Sequence, residues 1–268
     1  MAIRAVLFDL DDTLLWDERC VEEAFAATCK YAQDKTGVNV EQLEAFVRQA
    51  ARELFASYET YPFTQNIGIN PFEALWGRFA EGEHPEFRLL EQLAPMYRQS
   101  AWTQGLQAAG QPDDALGAEL AERFMSERRS RSYVYDETYE VLRQLIAQYP
   151  LLLLTNGSPD LQQEKLNGER ELLSYFDHIV ISGHHPQGKP DPELFKHTMS
   201  LLGIEPHEGI MIGDKLTTDI LGAQNVGMHH AWLNRKGVEL SGNIHPEYTI
   251  ASLREIEQII DEINSKES

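Results

Sequence analysis

The chain has 268 residues, of which 43 are acidic and 23 basic, giving a formal net charge of −20. Such an excess of negative charge argues against nucleic acid or an anionic membrane as a partner. No run of about 18 apolar residues predicts a membrane span, and acids at positions 9, 11 and 12 break what would be the apolar core of a signal peptide. Cys20 and Cys29, too far apart along a helical pattern to face one another, are expected to be reduced and half-buried. We therefore expect a cytoplasmic protein.

The N-terminal segment predicts a buried strand that ends in acids. Residues 3–8 are apolar, and residues 9–14 read Asp-Leu-Asp-Asp-Thr-Leu. Because side chains alternate along a strand, Asp9 and Asp11 share one face and Leu10 takes the other. Two neighbouring carboxylates repel each other and lose hydration unless a cation or protons compensate. An Asp-rich turn is the alternative interpretation, and the rest of the chain must decide between the two.

After Leu14 the apolar spacing becomes helical for more than a hundred residues. We predict a helical insertion over residues 17–132 with a core of its own. Its helices should break at 37–39, give way to a loop at 61–70, resume at Pro71, kink or split at Pro95 within 86–108, and continue over 113–131. Five polar and aromatic residues of this insertion are possible substrate contacts: Trp76, Arg78, Tyr97, Arg98 and Trp102. Packing of the aromatic residues in the core and solvation of the arginines explain their presence at least as well.

From Tyr133 onward, helical and strand patterns alternate. Predicted strands cover 151–154, 178–182, 210–213 and 230–234, and predicted helices cover 137–148, 160–173, 192–202, 218–226 and 253–263. Strands separated by crossover helices indicate a doubly wound, parallel α/β sheet. The first strand, 5–11, precedes the helical insertion. We therefore predict a discontinuous α/β domain, 1–16 and 133–268, interrupted by an all-α domain, 17–132.

Chemically useful residues follow four of the predicted strands. Besides Asp9 and Asp11, they are Thr155 with Asn156, Lys189, and Asp214 with Asp219. Each group alone has an ordinary explanation as a turn, a helix cap or a solvated lysine. Ligands of such sheets bind at the carboxyl ends of the strands, however, where these groups should meet. Together they offer acids for a divalent cation, a hydroxyl and backbone amides for phosphate oxygens, and a lysine for charge.

This ordered set resembles the haloacid dehalogenase-like (HAD) hydrolase superfamily. Residues 9–14 match its first motif, Thr155 its second, Lys189 its third, and Gly213-Asp214 with Asp219 its fourth. The helical block lies where that family carries a small cap domain. Residues 8–14, 154–157 and 232–235 look most like the subgroup of nucleotidases and N-acylneuraminate-phosphate phosphatases. Two departures concern the rim of the site: Pro186 where a glycine is common, and Lys215 where a small polar residue is common.

The resemblance implies a role for each matched residue. Asp9 would be the nucleophile that forms an aspartyl-phosphate, and Asp11 the general acid and then base. Asp9, the Asp11 backbone carbonyl and Asp214 would bind Mg²⁺, with Asp219 in support. Thr155 and the Asn156 amide would hold phosphoryl oxygens, and Lys189 would offset negative charge.

The expected reaction is Mg²⁺-dependent hydrolysis of a small phosphomonoester, such as a nucleoside monophosphate or a sugar phosphate, by a monomer or weak homodimer. A phosphomutase stays open because it uses the same residues. A haloacid dehalogenase is disfavoured by Asp11, since that reaction protonates no phosphate leaving group. A non-catalytic binding protein is the alternative from another class. His184 and His185 lie near the predicted rim, but adjacent side chains diverge, so we do not expect them to share a metal.

Overall fold

The computed structural model describes residues 2–266. The chain divides into two compact units. The α/β unit comprises the chain up to Trp16, Val134–Gly157 and the chain from Lys165 onward; the helical unit comprises Asp17–Tyr133 and Ser158–Glu164. None of the helices within residues 2–266 is long and apolar enough to cross a membrane.

The α/β unit is built on a parallel sheet. Within residues 2–266 its six strands are β1 (Ala5–Phe8), β2 (Leu151–Thr155), β3 (His178–Ile181), β4 (Gly209–Gly213), β5 (His229–Leu233) and β6 (Tyr248–Ile250). Their spatial order is β3-β2-β1-β4-β5-β6, with every neighbouring pair parallel. Because β1, β2 and β4 are buried along their whole length, their sequences are continuous apolar runs rather than alternating ones. The predicted parallel α/β architecture is confirmed.

Helices cover the sheet between the strands. They are α7 (Thr138–Ile146), α8 (Pro159–Gly168), α9 (Arg170–Leu173), α10 (Pro192–Leu202), α11 (Leu221–Val226) and α12 (Ile256–Lys266), numbered after the six helices of the helical unit described below. Of α8, only the part from Lys165 onward belongs to the α/β unit. The predicted helix over 160–173 is in fact two, because the first ends at Gly168, a residue that favours helix ends. A π-helical turn, Leu216–Ile220, precedes α11. The short strand β6 was not predicted.

The helical unit contains α1 (Asp17–Thr36), α2 (Val40–Ser57), α3 (Tyr61–Ile67), α4 (Pro71–Ala74), α5 (Pro85–Ala108) and α6 (Asp114–Arg129). The predicted loop at 61–70 is wrong over most of its length. Pro62 lies in the first turn of α3, and Gly68 ends that helix with a φ of 83°. Both residues are therefore helix-boundary signals rather than loop signals. Pro95 lies inside α5, which continues as one helix on both sides of it.

Aromatic side chains form much of the core of the helical unit. Trp76, Tyr97 and Trp102 are almost completely buried in it, and the hydroxyl of Tyr97 donates a hydrogen bond to the backbone oxygen of Pro71 at 2.7 Å. Arg98 is buried too and donates to the backbone oxygens of Ala74 and Gly77. These four side chains therefore serve packing. Arg78 is exposed, and Cys20 and Cys29 are buried rather than half-buried.

Candidate active site

Asp9 immediately follows β1 and lies at the centre of the sheet's carboxyl edge. Its backbone N–H donates to the oxygen of Ile212 in β4 at 2.9 Å, which continues the β1–β4 pairing by one residue. The chain then turns sharply: Asp12 adopts a left-handed φ of 60°, and its N–H donates to the oxygen of Leu15 at 2.7 Å. Aspartate tolerates this conformation better than most residues do. The turn leaves the Asp9 side chain buried at the strand end.

Lys189 joins two of the predicted acids. Its Nζ lies 2.5 Å from Oδ1 of Asp9 and 2.7 Å from Oδ1 of Asp219, and donates to the backbone oxygen of Leu154 at 2.7 Å. All three charged side chains are at least 90 % buried. Burial alone would lower the pKa of Lys189, but the charges of Asp219 and Asp9 outweigh it and raise the pKa. Lys189 is therefore an obligate cation in the middle of the acids.

Asp9, Asp214 and Asp219 form an acidic cluster in which one oxygen from each lies within 4.8 Å of the others. Burial raises the pKa of Asp214 to about 8, and the negative charges of Asp9 and Asp219 add to the rise. Burial also raises the pKa of Asp9, although Lys189 opposes that shift. One lysine thus leaves an excess of buried negative charge.

The donor set of the acidic cluster fits Mg²⁺. Its ligands would be carboxylate oxygens, which that cation prefers. Oδ1 of Asp214 is buried without a hydrogen-bond partner among the described residues. An unpaired buried carboxylate oxygen is unfavourable unless a cation or proton satisfies it. The residues present are therefore suited to a divalent cation.

Gly213, the last residue of β4, is required by the packing of Asp219. A Cβ atom at position 213 would lie 2.3 Å from Oδ2 and 2.4 Å from Cγ of Asp219. That same Oδ2 accepts a hydrogen bond from the backbone N–H of Lys215 at 3.0 Å. The absence of a side chain at Gly213 therefore lets Asp219 reach Lys189.

Thr155 is the last residue of β2 and Asn156 follows it; the side chain of Asn156, for which no role was predicted, binds the backbone of Lys189. Its amide nitrogen donates to the backbone oxygen of Lys189 at 2.9 Å, and its oxygen accepts from the Lys189 N–H at 2.8 Å. This pair of bonds fixes the backbone of Lys189. Any contact of Asn156 with a phosphoryl oxygen would therefore come from its main chain. Thr155 is buried at the strand end.

Asp11 contacts Lys165, which was not among the predicted site residues. Nζ of Lys165, in α8, donates to Oδ2 of Asp11 at 2.9 Å. The Lys165 side chain is only 2 % exposed. The sequence could have indicated this buried lysine by its spacing. Lys165 lies four residues after the buried Leu161 and therefore on the same, buried side of the helix.

The structure describes the neighbours of the predicted rim. Across residues 2–266 the acidic cluster is the only set of three or more His, Cys, Asp or Glu side chains that could hold a metal ion together. The ring centroid of His185 lies 4.7 Å from that of His197. Asp191 caps α10 by accepting from the N–H of Glu193 at 2.9 Å.

These features describe an α/β protein with a buried, acidic, cation-suited centre at the carboxyl ends of parallel strands. Comparison with known proteins specifies the family. The family model for haloacid dehalogenase-like hydrolases matches residues 3–227, and the chain belongs to that family.

Curated relatives match over nearly the whole chain. A phosphoserine phosphatase from Thermus thermophilus is 36 % identical over 259 residues, which cover 95 % of this chain and 98 % of the relative. The N-acylneuraminate-9-phosphatase of Mus musculus is 30 % identical, with coverage of 99 % and 97 %. The predicted classification as an enzyme of the HAD phosphatase type is confirmed.

Solved structures share the fold. The HAD hydrolase YfnB from Bacillus subtilis, determined bound to magnesium, gives a TM-score of 0.68 at 21 % identity and covers 97 % of this chain and 100 % of its own. A HAD phosphatase from Thermococcus onnurineus gives 0.59 at 26 % identity, with coverage of 96 % and 98 %.

Proposed function

We propose that this protein hydrolyses small phosphomonoesters in a Mg²⁺-dependent reaction with Asp9 as nucleophile. The observation that carries the proposal is the position of Asp9. Its carboxylate is buried at the end of the central strand, 2.5 Å from the ammonium group of Lys189, within the acidic cluster. Lys189 holds the carboxylate in place and offsets the repulsion that an anionic substrate would meet there.

The first half of the reaction transfers the phosphoryl group to Asp9. A carboxylate oxygen of Asp9 forms a bond to phosphorus, and the bond from phosphorus to the leaving oxygen breaks with its electron pair passing to that oxygen. Asp11 gives a proton to the same oxygen, so the product leaves as a neutral alcohol.

The second half hydrolyses the aspartyl-phosphate. Asp11, now deprotonated, accepts a proton from water, and the resulting hydroxide oxygen bonds to phosphorus as the bond to Asp9 breaks. Inorganic phosphate leaves and both carboxyl groups return to their starting states. One residue can serve both steps because the second reverses the proton demand of the first.

We propose that Asp9, Asp214 and the Asp11 backbone carbonyl hold Mg²⁺, with Asp219 in support. When bound, that cation supplies positive charge against phosphoryl oxygens and orients the phosphate for in-line attack. The Thr155 hydroxyl and the backbone N–H of Asn156 are assigned to the remaining phosphoryl oxygens. The side chain of Asn156, through its two bonds to Lys189, positions that lysine.

The proposed substrates are small esters because the named relatives act on phosphoserine and on an N-acylneuraminate phosphate. A nucleoside monophosphate or another sugar phosphate remains within this class. We propose that the helical unit, as the family's cap, selects among them, with the cap over 17–132 and the α/β core over 1–16 and 133–268. A cytoplasmic location and a monomeric or weakly dimeric state stay predictions.

The proposal is tested with 4-nitrophenyl phosphate and Mg²⁺, comparing wild type with Asp9→Asn. We expect at least a ~10³-fold loss of turnover, since covalent catalysis is abolished. Asp12→Asn is the matched control, because it makes the same change three residues away and asparagine tolerates the left-handed backbone there. Equal activity of wild type and Asp9→Asn would refute the nucleophile.

A panel of phosphoserine, sugar phosphates, nucleoside monophosphates and a folded phosphoprotein then defines the substrate by phosphate release. Release from the phosphoprotein alone would contradict the small-ester proposal. Isomerised phosphate ester without free phosphate would indicate a phosphomutase, and halide release from a 2-haloacid a dehalogenase. Absence of turnover on every compound, with retained binding, would favour the non-catalytic alternative.

A further inference from the structure

We propose that Lys165 is a positioning residue for Asp11: it holds the carboxyl group in the orientation from which a proton reaches the leaving oxygen. This inference rests on the proposed function, because it takes Asp11 as the acid–base group. It adds a residue outside the four matched motifs to the chemistry of the site.

The geometry joins two residues that are 154 positions apart. Nζ of Lys165 donates to Oδ2 of Asp11 at 2.9 Å. Asp11 belongs to the turn after β1, and Lys165 belongs to α8, the helix that follows the Thr155–Asn156 strand end. The contact therefore joins Asp11 to the part of α8 that belongs to the α/β unit.

The burial of Lys165 distinguishes this contact from an exposed ion pair. Lysine is rarely buried unless it is paired, because its ammonium group loses hydration that only close partners can replace. Here the side chain is 2 % exposed, whereas that of Asp11 is 18 % exposed. The side chain of Asp11 is thus more exposed than that of the lysine that binds it.

Asp9 and Asp11, two of the three acids of the first motif, contact different lysines. Lys189 contacts Asp9 and Asp219, whereas Lys165 contacts Asp11. Lys189 supplies positive charge at the nucleophile. The second lysine instead binds one oxygen of the carboxyl group that moves protons. A carboxyl group held through one oxygen has restricted rotation about its side-chain bonds, which favours a productive alignment for proton transfer.

The experiment compares two esters that differ in their need for an acid. The 4-nitrophenolate ion is a good leaving group and needs little protonation, while the phenolate ion is more basic and needs more. If Lys165 acts through Asp11, Lys165→Met should lower kcat/KM for phenyl phosphate by about tenfold or more, but for 4-nitrophenyl phosphate by only about threefold or less. We use kcat/KM because it includes the steps up to departure of the alcohol.

Two further variants separate positioning from other roles. Lys165→Arg retains a donor for Asp11 and should move the ratio of the two kcat/KM values back toward that of wild type. Lys196→Met is the matched control, since it removes a lysine from an exposed ion pair with Glu193; it should leave both values unchanged. An equal fall for both esters in Lys165→Met would overturn the inference and indicate a direct contact with the phosphate or a purely structural role.

Stability is measured alongside by thermal unfolding. If Lys165→Met does not fold, Lys165→Gln, which keeps a polar group at the end of the side chain, carries the same comparison. An unchanged ratio in the folded variant overturns the inference. The proposed function is tested separately by Asp9→Asn. Activity of that variant on either ester would contradict Asp9 as the nucleophile. If Asp9→Asn is inactive and the ratio of the two kcat/KM values is unchanged in Lys165→Met, only the role of Lys165 is contradicted.

Discussion

The ammonium group of Lys189 lies 2.5 Å from Oδ1 of Asp9, although the two residues are 180 positions apart in the chain. The same group lies 2.7 Å from Asp219. A buried lysine between two buried carboxylates stabilises the folded chain only while all three are present, since removing one charge leaves the others uncompensated. We therefore expect the stability of the fold and the proposed chemistry to depend on the same residue, Lys189.

Replacing Lys189 by methionine should abolish activity and also destabilise the protein by about 3–5 kcal/mol, because the acidic cluster then has no internal cation. Urea unfolding monitored by circular dichroism measures the loss. Lys196→Met, which removes a largely exposed lysine, should change stability by less than about 1 kcal/mol. A Lys189→Met protein as stable as wild type would show that protonation of the acids fully replaces the lysine.

A second prediction concerns Mg²⁺ and Asp214. The cation binds the folded chain at a site that unfolding destroys, so it should raise the free energy of unfolding by about 2.7 kcal/mol at 100 times its dissociation constant. Asp214→Asn should remove most of this gain, because it takes away a carboxylate with an unsatisfied buried oxygen. Thermal unfolding with Mg²⁺ and with a chelator provides the measurement.

The control for this prediction is Asp191→Asn, which alters an acid that only caps α10. Asparagine is as good a cap as aspartate, so this variant should keep the full response to Mg²⁺. A wild-type protein whose unfolding temperature is the same with Mg²⁺ and chelator would contradict the assignment of the acidic cluster as a metal site.

The positions of the strand-end acids could be predicted because parallel strands deliver their carboxyl ends to one edge of the sheet. Asp9, Asp214 and Lys189 meet there as expected. The role of the Asn156 side chain and the contact of Lys165 with Asp11 could not be predicted, since both depend on which backbone or side chain lies opposite after folding. The spacing of residues predicts which face of a helix a side chain lies on, but not which residue it contacts in the folded chain.

In the helical unit, residue types that favour loops also favour helix boundaries. In residues 61–70, proline, glycine and asparagine were interpreted as a loop, whereas they mark the start and end of α3 and the cap of α4. The same residue types favour turns and helix boundaries for the same conformational reasons. Only packing of the intervening residues Thr64 and Ile67 into the core decides between the two.

A third prediction uses the close approach at Gly213. Gly213→Ala places a methyl group 2.3 Å from the Asp219 carboxylate, which must therefore move. Because Asp219 contacts Lys189 at 2.7 Å, we expect kcat to fall by about 10²-fold, a typical effect of misplacing groups of the active site by about 1 Å. Steady-state kinetics with 4-nitrophenyl phosphate over a range of Mg²⁺ concentrations measures this loss.

Gly209→Ala is the control for that experiment, since it changes the first residue of the same strand. Its Cβ would approach the ends of two flexible side chains, Ile204 at 3.0 Å and Met228 at 3.2 Å, rather than a catalytic group. We expect it to reduce stability slightly and leave kcat within about twofold of wild type. A Gly213→Ala enzyme as active as the Gly209→Ala control would mean that Asp219 can move without consequence.

The fourth prediction concerns pH and the clamp formed by Arg235. This guanidinium group contacts Glu137 at 2.5 Å, the backbone oxygen of Thr13 at 3.1 Å and the ring of Tyr135. Burial acts to raise the pKa of Glu137, but the hydrogen bond and charge of Arg235, together with hydrogen bonds from the backbone of Glu137 and Leu253, hold the pKa below its ordinary value of 4.5. The carboxylate thus binds a proton less readily in the folded chain than in the unfolded one.

Because the pKa of Glu137 is lower in the folded chain, its carboxylate stabilises the fold at pH values above its pKa in the unfolded chain. This contribution is lost as the pH falls through the pKa of the folded chain. Wild type should therefore exceed Glu137→Gln in free energy of unfolding by about 1–3 kcal/mol at pH 7, and the difference should shrink as the pH falls below 4.5. Urea unfolding at a series of pH values measures this difference.

Glu140→Gln, which removes an exposed partner of Arg254, is the control and should differ little from wild type at any pH. A constant difference between wild type and Glu137→Gln down to pH values well below 4.5 would show that packing of the side chain, and not its charge, holds the clamp together.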